Sequence, residues 1–207
     1  MIIDVTGILL AGGKSRRMGT DKRFLLVGGQ QLYERSLAVL QSVFRDVCIV
    51  IAQDSPPLLS GVPVLRDLVP NCGTLGGIYT GLKESRTEHV FTVACDMPFL
   101  NPEVIAYLVS LKRTADIVIV QSDHGLQPTH ALYNRRCLPM LEEMVHGGRL
   151  KVQDIIAHPS VEARVVRWDE LREIDPEGRS FVNINTPADL EAAQLLPDRL
   201  RDSNSPS

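Results

Sequence analysis

The feature that most restricts the fold is an alternation of short apolar runs with segments of helical periodicity. Helical spacing is clearest at Leu32, Leu37, Leu40 and Phe44, where one face of the segment is apolar. Such an alternation predicts a mostly parallel sheet with helices on both faces. We expect buried strands at residues 5–10, 46–52, 62–65, 89–95 and 117–120.

The second half of the chain is less regular. We expect a strand at residues 127–133 that returns across the sheet, an edge strand at 161–168, and a strand at 181–185. Helices are expected at 137–145 and 150–157, with further helices capped by Asn101 and Thr186, each followed by proline. Because no linker divides the chain, we predict one domain over residues 1–197, a Rossmann-like three-layer α/β sandwich with an antiparallel edge. Residues 198–207 should form a disordered polar tail.

Composition excludes several classes of function. The chain has 207 residues, 44% of them hydrophobic and 23% charged, as in ordinary globular proteins. Its net charge of -3 gives no reason to expect nucleic-acid binding. The four cysteines form no C-x-x-C pair, so we expect reduced thiols in a cytoplasmic protein. We also expect neither a signal peptide nor a membrane span.

The first apolar run ends in a glycine pair that is followed by clustered cations. Gly12 and Gly13 allow a tight turn or a close approach of backbone to a ligand. Lys14, Arg16, Arg17 and Lys22 follow, and this combination suits a nucleoside triphosphate. A P-loop would need glycine where Ile8 stands, and the dinucleotide fingerprint fails because the two glycines are adjacent. A solvated surface turn would leave both features unexplained.

Two aspartates follow other predicted strands. Asp67 and Asp96 come directly after apolar runs, and ligands of open α/β sheets bind beyond the carboxyl ends of strands. We therefore group both aspartates with the loop that begins at Ala11. A carboxylate at residue 96 could hold Mg²⁺ together with triphosphate oxygens. For an isolated Asp-x-Pro, a capped turn would be the commoner explanation.

The pattern L-A-G-G-x-S-x-R-M-G-x-D-K, from Leu10 to Lys22, resembles the signature of nucleotidyltransferases, and most of all that of the molybdenum cofactor guanylyltransferases. The resemblance implies the fold of the nucleotide-diphospho-sugar transferases. It also implies that Leu10, Ala11, Gly12 and Gly13 contact the base and that Asp67 contacts the nucleotide. Lys22 and Arg16 would neutralise the triphosphate, and Asp96 would bind both the nucleotide and Mg²⁺.

The acceptor side of the resemblance lies in the second half of the chain. Asn183 and Asn185 match the family's N-x-N-T-P segment, which implies binding of a polar pterin. Lys151 stands where an arginine usually receives the pterin's phosphate, so charge is kept but bidentate geometry is lost. Gln127 replaces the usual histidine of an H-P-T-x-A-L segment.

The resemblance implies transfer of GMP from GTP to the phosphate of molybdopterin, with Arg16, Lys22 and Asp96 as catalytic residues and molybdoenzyme-maturation proteins as further partners. One alternative is a cytidylyltransferase acting on molybdopterin or on a sugar or polyol phosphate. Those relatives usually read L-A-A-G, whereas Gly12 leaves more room for a purine. Another is a non-catalytic subunit that binds nucleotide and pterin and delivers the cofactor. The presence of both Lys22 and Asp96 argues against it.

Overall fold

The computed structural model describes residues 1–12, 21–123 and 125–196. Gly13, Arg16 and the expected tail at 198–207 lie outside the described residues. The described strands are β1 (Ile2–Leu10), β2 (Leu26–Val27), β3 (Gln30–Gln31), β4 (Phe44–Ile51), β5 (Val64–Arg66), β6 (His89–Ala94), β7 (Ile117–Ser122), β8 (Gly125–Asn134) and β9 (Ala163–Arg167). The described α-helices are α1 (Leu32–Val43), α2 (Gly73–Glu84), α3 (Pro102–Ser110), α4 (Leu138–His146) and α5 (Pro187–Leu195).

Seven of these strands form one sheet in the order β5-β4-β1-β6-β8-β7-β9. Parallel pairs join β1 to β4 and β6, β4 to β5, and β7 to β9. Strand β8 runs antiparallel to both of its neighbours, in the part of the sheet that ends at β9. The predicted fold class, a mostly parallel α/β sheet, is confirmed.

Helices cover both faces of the sheet. In β1, Leu9 belongs to the cluster that packs under α1 and α3, whereas Ile8 and Leu10 belong to the cluster under α2 and α4. Both Ile8 and Leu9 are fully buried. A strand that is buried on both faces reads as a continuous apolar run, which is why β1 was visible in the sequence. None of the described helices has the length and apolar character that a bilayer crossing requires.

The predicted helix starts are confirmed. The Asn101 side chain accepts a hydrogen bond from the backbone N–H of Glu103, and Thr186 forms a reciprocal capping box with Asp189. A short 3₁₀ turn, Val152–Ile155, takes the place of the helix expected at 150–157.

The prediction of a strand at residues 181–185 was wrong. A 3₁₀ turn, Arg179–Phe181, is followed by an irregular connection into α5. The backbone N–H of Ile184 donates to the carbonyl oxygen of Asp96 at 2.9 Å, so it does not extend a strand ladder. This hydrogen bond joins the connection to the residue that follows the end of β6 by two positions.

Candidate active site

A cleft of about 240 Å³ opens where β1, β4, β5 and β6 reach their carboxyl ends. This is the place where open α/β sheets bind ligands. Most of the site residues predicted from the sequence line this one cleft: Leu10, Ala11, Gly12, Lys22, Asp67, Asp96 and Asn183. The grouping of the β1 loop with the two aspartates therefore agrees with the geometry.

Lys22 and Asp96 meet in the cleft. Lys22 begins a 3₁₀ turn, Lys22–Phe24, whose start is capped by the Asp21 side chain. Its ammonium Nζ lies 3.5 Å from Asp96 Oδ2 and donates to Asn185 Oδ1 at 2.9 Å. A cation is thus held between the carboxylate that follows β6 and an amide from the connection into α5.

The backbone around Asp96 is held by α1. Ser36 Oγ donates to the Met97 carbonyl at 3.2 Å, and Arg35 Nε donates to the Pro98 carbonyl at 3.3 Å. Arg35 Nη1 also reaches the Val27 carbonyl at 3.2 Å, although the whole side chain is only 1% exposed. Sequence reasoning missed these two residues. The available signal was that these two adjacent polar residues stand three and four positions after Leu32, at helical spacing from the apolar stripe of α1.

Burial dominates the electrostatics of the two aspartates. It raises the pKa of Asp67 to about 6. Burial also raises the pKa of Asp96, but the charge and hydrogen bond of Lys22 act in the opposite direction. The Oδ1 atom of each carboxylate is buried and has no hydrogen-bond partner within residues 1–12, 21–123 and 125–196. Each site can therefore accept a further partner, either a donor or a cation.

The unpartnered oxygen of Asp96 fits a divalent cation. Within the described part of the chain, no group of three or more His, Cys, Asp and Glu side chains could hold a metal alone. Mg²⁺ prefers oxygen ligands and commonly takes one or two carboxylates together with substrate phosphates and water. The donors present thus suit a metal that arrives with a nucleotide.

Close packing accounts for two of the glycines that line the cleft. A Cβ on Gly12 would lie 2.8 Å from the backbone nitrogen of Ala52, so only glycine lets the loop pass the end of β4. A Cβ on Gly77 would lie 3.0 Å from Leu10 Cδ2. The glycine at position 12 therefore has a reason within the fold, independent of the space a purine would need.

The remaining predicted residues are placed differently. The Asn183 amide lines the cleft and donates to the Phe181 carbonyl at 3.0 Å. Lys151 is exposed and does not belong to the cleft lining. Gln127 is buried, and its Nε2 donates to Ser122 Oγ at 2.9 Å, so it braces the β7–β8 hairpin. Lys151 as a pterin ligand stays a prediction.

A larger cavity, of about 480 Å³, lies at the opposite end of the sheet. Its charged groups largely pair with one another: Lys112 contacts Asp4 at 2.5 Å, and Arg136 lies 3.7 Å from Asp116. None of the residues predicted to carry chemistry lines it. The smaller cleft is the candidate active site because it combines unpartnered carboxylate oxygens with a positioned lysine.

A mostly parallel α/β sheet, with a lysine and a carboxylate that meet beyond the carboxyl ends of its central strands, suits the class of the α/β nucleotidyltransferases. The chain belongs to the family of MobA-like NTP transferase domains, whose model matches residues 7–163.

Relatives and solved structures agree with this assignment. A probable molybdenum cofactor guanylyltransferase from Pelotomaculum thermopropionicum is 34% identical over 97% of each chain. The molybdenum cofactor guanylyltransferase of Desulfosudis oleivorans is 35% identical over 92% of this chain and 94% of its own. The molybdopterin-guanine dinucleotide biosynthesis protein A of Archaeoglobus fulgidus superposes with a TM-score of 0.79 at 26% identity, covering 91% of this chain and 96% of that one.

A more distant structure shares the fold alone. The 2-C-methyl-D-erythritol 4-phosphate cytidylyltransferase of Thermus thermophilus gives a TM-score of 0.67 at 15% identity, over 90% of this chain and 96% of that one. The same sheet and helices therefore occur in a protein named for cytidylyl transfer, so the fold alone does not identify the base.

Proposed function

We propose that this protein transfers GMP from GTP to the terminal phosphate of molybdopterin, releasing pyrophosphate and forming a guanine dinucleotide. The observation that carries the proposal is the meeting of Lys22 Nζ and Asp96 Oδ2, 3.5 Å apart, in a cleft at the ends of the central strands. The choice of GTP as the nucleotide and of molybdopterin as the acceptor follows the names of the relatives.

The base would lie against the end of β1, beside Asp67. A carboxylate only accepts hydrogen bonds, and the Watson–Crick edge of guanine offers two adjacent donors, N1–H and the N2 amino group. Cytosine offers a single donor group, its N4 amino group, next to acceptors. The unpartnered Oδ1 of Asp67 therefore favours guanine, and the backbone of Leu10, Ala11, Gly12 and Gly13 would complete this side.

The reaction needs positioning and charge neutralisation more than acid–base chemistry. An oxygen of the molybdopterin phosphate, already anionic, forms a bond to the α-phosphorus of GTP. The bond from that phosphorus to the bridging oxygen breaks, and pyrophosphate leaves with the electron pair. Lys22 would neutralise charge that develops on the leaving group, and Arg16, which lies outside the described residues, would share this role.

Magnesium is part of the proposal, with Asp96 as the protein ligand. When bound, the ion would neutralise phosphate charge. Lys22, which also donates to Asn185, already contacts Oδ2 of the Asp96 carboxylate, and this leaves Oδ1 for the cation. On the acceptor side, Asn183 and Asn185 would contact the pterin ring, and Lys151 would contact its phosphate.

We infer that the protein works in the cytoplasm and passes its product to molybdoenzyme-maturation proteins. All four cysteines are free thiols in the structure, as expected of a reducing compartment. Burial raises the pKa of Cys48 to about 12, so this thiol stays neutral and unreactive at physiological pH.

The test is product formation from molybdopterin and labelled GTP in the presence of Mg²⁺. We expect a guanine dinucleotide and pyrophosphate, with little product from CTP. Asp96→Asn should lower turnover by at least ~100-fold, because an amide lacks the charge that holds a cation. Asp46→Asn is the matched control, since Asp46 is half exposed and pairs with Arg45 far from the cleft. Equal use of CTP, or an active Asp96→Asn variant, would contradict the proposal.

A further inference from the structure

Arg23 is a buried arginine in the wall of the cleft, one residue beyond the motif that ends at Lys22. Only 4% of its surface is exposed. Its Nε lies 2.9 and 3.0 Å from the two carboxylate oxygens of Asp21, and its Nη2 lies 2.5 Å from Oδ2. Asp21 also accepts a hydrogen bond from the backbone N–H of Arg23. The Nε and Nη2 side of the guanidinium is therefore held by one carboxylate.

The other side of the guanidinium is unsatisfied. Nη1 is buried and has no hydrogen-bond partner in the described ranges 1–12, 21–123 and 125–196. The hydrogen bonds that Arg23 donates to Asp21 raise the pKa of the guanidinium further, so the group is always charged. A buried cationic N–H without an acceptor is unfavourable, and native proteins seldom leave one.

The other described groups that line the cleft do not supply that acceptor. Arg23 lines the cleft with Lys22, Cys95 and Asp96. Asp96 Oδ2 faces Lys22 at 3.5 Å, and Asp96 Oδ1 makes no hydrogen bond to Nη1, since both atoms are without partners in the described residues. Among the described residues Nη1 thus lacks an acceptor, and a molecule that enters the cleft can supply one.

We propose that Arg23, through Nη1, binds a phosphate oxygen of a substrate in the cleft. The inference rests on the proposed function, in which phosphate groups occupy this space. A phosphate oxygen is an anionic acceptor and matches a guanidinium whose other edge is already held by a carboxylate. Two sources share this chemistry: the β- and γ-phosphates of the nucleotide, and the terminal phosphate of the pterin.

The experiment compares Arg23→Gln and Arg23→Lys with the parent protein. Calorimetric titration with inorganic pyrophosphate and Mg²⁺ tests whether Arg23 binds the phosphates of the nucleotide. The KM for molybdopterin at saturating GTP tests whether Arg23 binds the phosphate of the acceptor. Arg45→Gln is the matched control, because Arg45 also pairs with an adjacent aspartate, at 3.0 Å, but is exposed and outside the cleft. Arg23→Lys keeps the charge and guards against a glutamine variant that fails to fold.

If Arg23 holds the nucleotide, Arg23→Gln should weaken pyrophosphate binding by ~10- to 100-fold, with partial recovery in Arg23→Lys. If it holds the acceptor, pyrophosphate binding should be unchanged and the KM for molybdopterin should rise by about as much. The inference would be overturned if the pyrophosphate affinity and the KM for molybdopterin both stayed within twofold of the parent values in the variants that fold. Arg23 would then only stabilise the 3₁₀ turn. Pyrophosphate affinity that depends on Arg23 without any guanine dinucleotide product would sink the proposed function alone.

Discussion

At the scale of single residues, the cleft contains two buried carboxylates with different neighbours. Asp96 faces a lysine at 3.5 Å, which favours its ionised form. Within the described chain, Asp67 has no such cation against its Oδ1, and burial alone raises its pKa to about 6. The two groups should therefore respond differently to pH, which makes their roles separable by experiment.

GTP binding should weaken in acid because Asp67 becomes protonated. Above pH 6 the carboxylate is ionised and accepts hydrogen bonds from the base. Below pH 6 it gains a proton, and affinity should fall by up to ~10-fold per pH unit. Titrations with GTP between pH 5 and 8 should show this fall in the parent protein and a much flatter curve in Asp67→Asn. Protonation of the nucleotide's own phosphates affects both proteins equally, so identical slopes would remove Asp67 from base recognition.

At the scale of elements, the irregular connection between the Arg179–Phe181 turn and α5 joins the two halves of the site. Its sequence, Phe-Val-Asn-Ile-Asn, alternates in polarity and imitates a strand. The bond from Ile184 to the Asp96 carbonyl spans 88 residues, and no local pattern reveals such a pairing. The amide of Asn185 thereby reaches Lys22, so this residue contacts the lysine that we propose to be catalytic, in addition to its predicted role with the pterin.

A double-mutant cycle should detect the coupling between this connection and the lysine. Asn185→Ala removes a 2.9 Å bond that positions Lys22, and kcat should fall several-fold even at saturating molybdopterin. In a Lys22→Ala background the same substitution should have little further effect on kcat. Asn183→Ala is the control, because its amide bonds to the Phe181 carbonyl and not to the lysine. Strictly additive effects on kcat would show that Asn185 acts only on the pterin.

At the scale of the whole molecule, the sheet was predictable because buried parallel strands are continuous apolar runs and their helices carry a periodic apolar stripe. The caps at Asn101 and Thr186 were predictable from local chemistry. The order of strands was not, since the insertion of β8 between β6 and β7 depends on pairings between distant residues. The fully buried Arg35, which braces the loop after Asp96, escaped notice because charged residues are expected at the surface.

One buried histidine should make the stability of the whole fold sensitive to acid. His130, on β8, is fully buried between Phe91 and Phe181, with ring centroids at 5.4 and 5.0 Å. Neither ring nitrogen has a hydrogen-bond partner in the described residues. Burial lowers the pKa of His130 from 6.5 to about 4, and the nearby charge of Asp175 only partly opposes this.

Between pH 6.5 and 4 the unfolded chain therefore binds a proton at residue 130 that the folded chain does not. The stability contributed by the neutral imidazole is complete above pH 6.5 and is lost as the pH falls toward 4, by about 2.5 kcal/mol at pH 4.5. The raised pKa of Asp67 acts in the opposite direction over the same range, so the pH dependence of the parent's stability does not by itself identify the histidine.

Urea unfolding of the parent and of His130→Leu at pH 4.5, 5.5, 6.5 and 7.5 separates the contribution of the histidine, because Asp67 is common to both proteins. The parent should lose stability relative to the variant as the pH falls. If the stabilities of the parent and His130→Leu changed in parallel with pH, the protonated imidazole would have to be stabilised by a hydrogen-bond acceptor in the folded state.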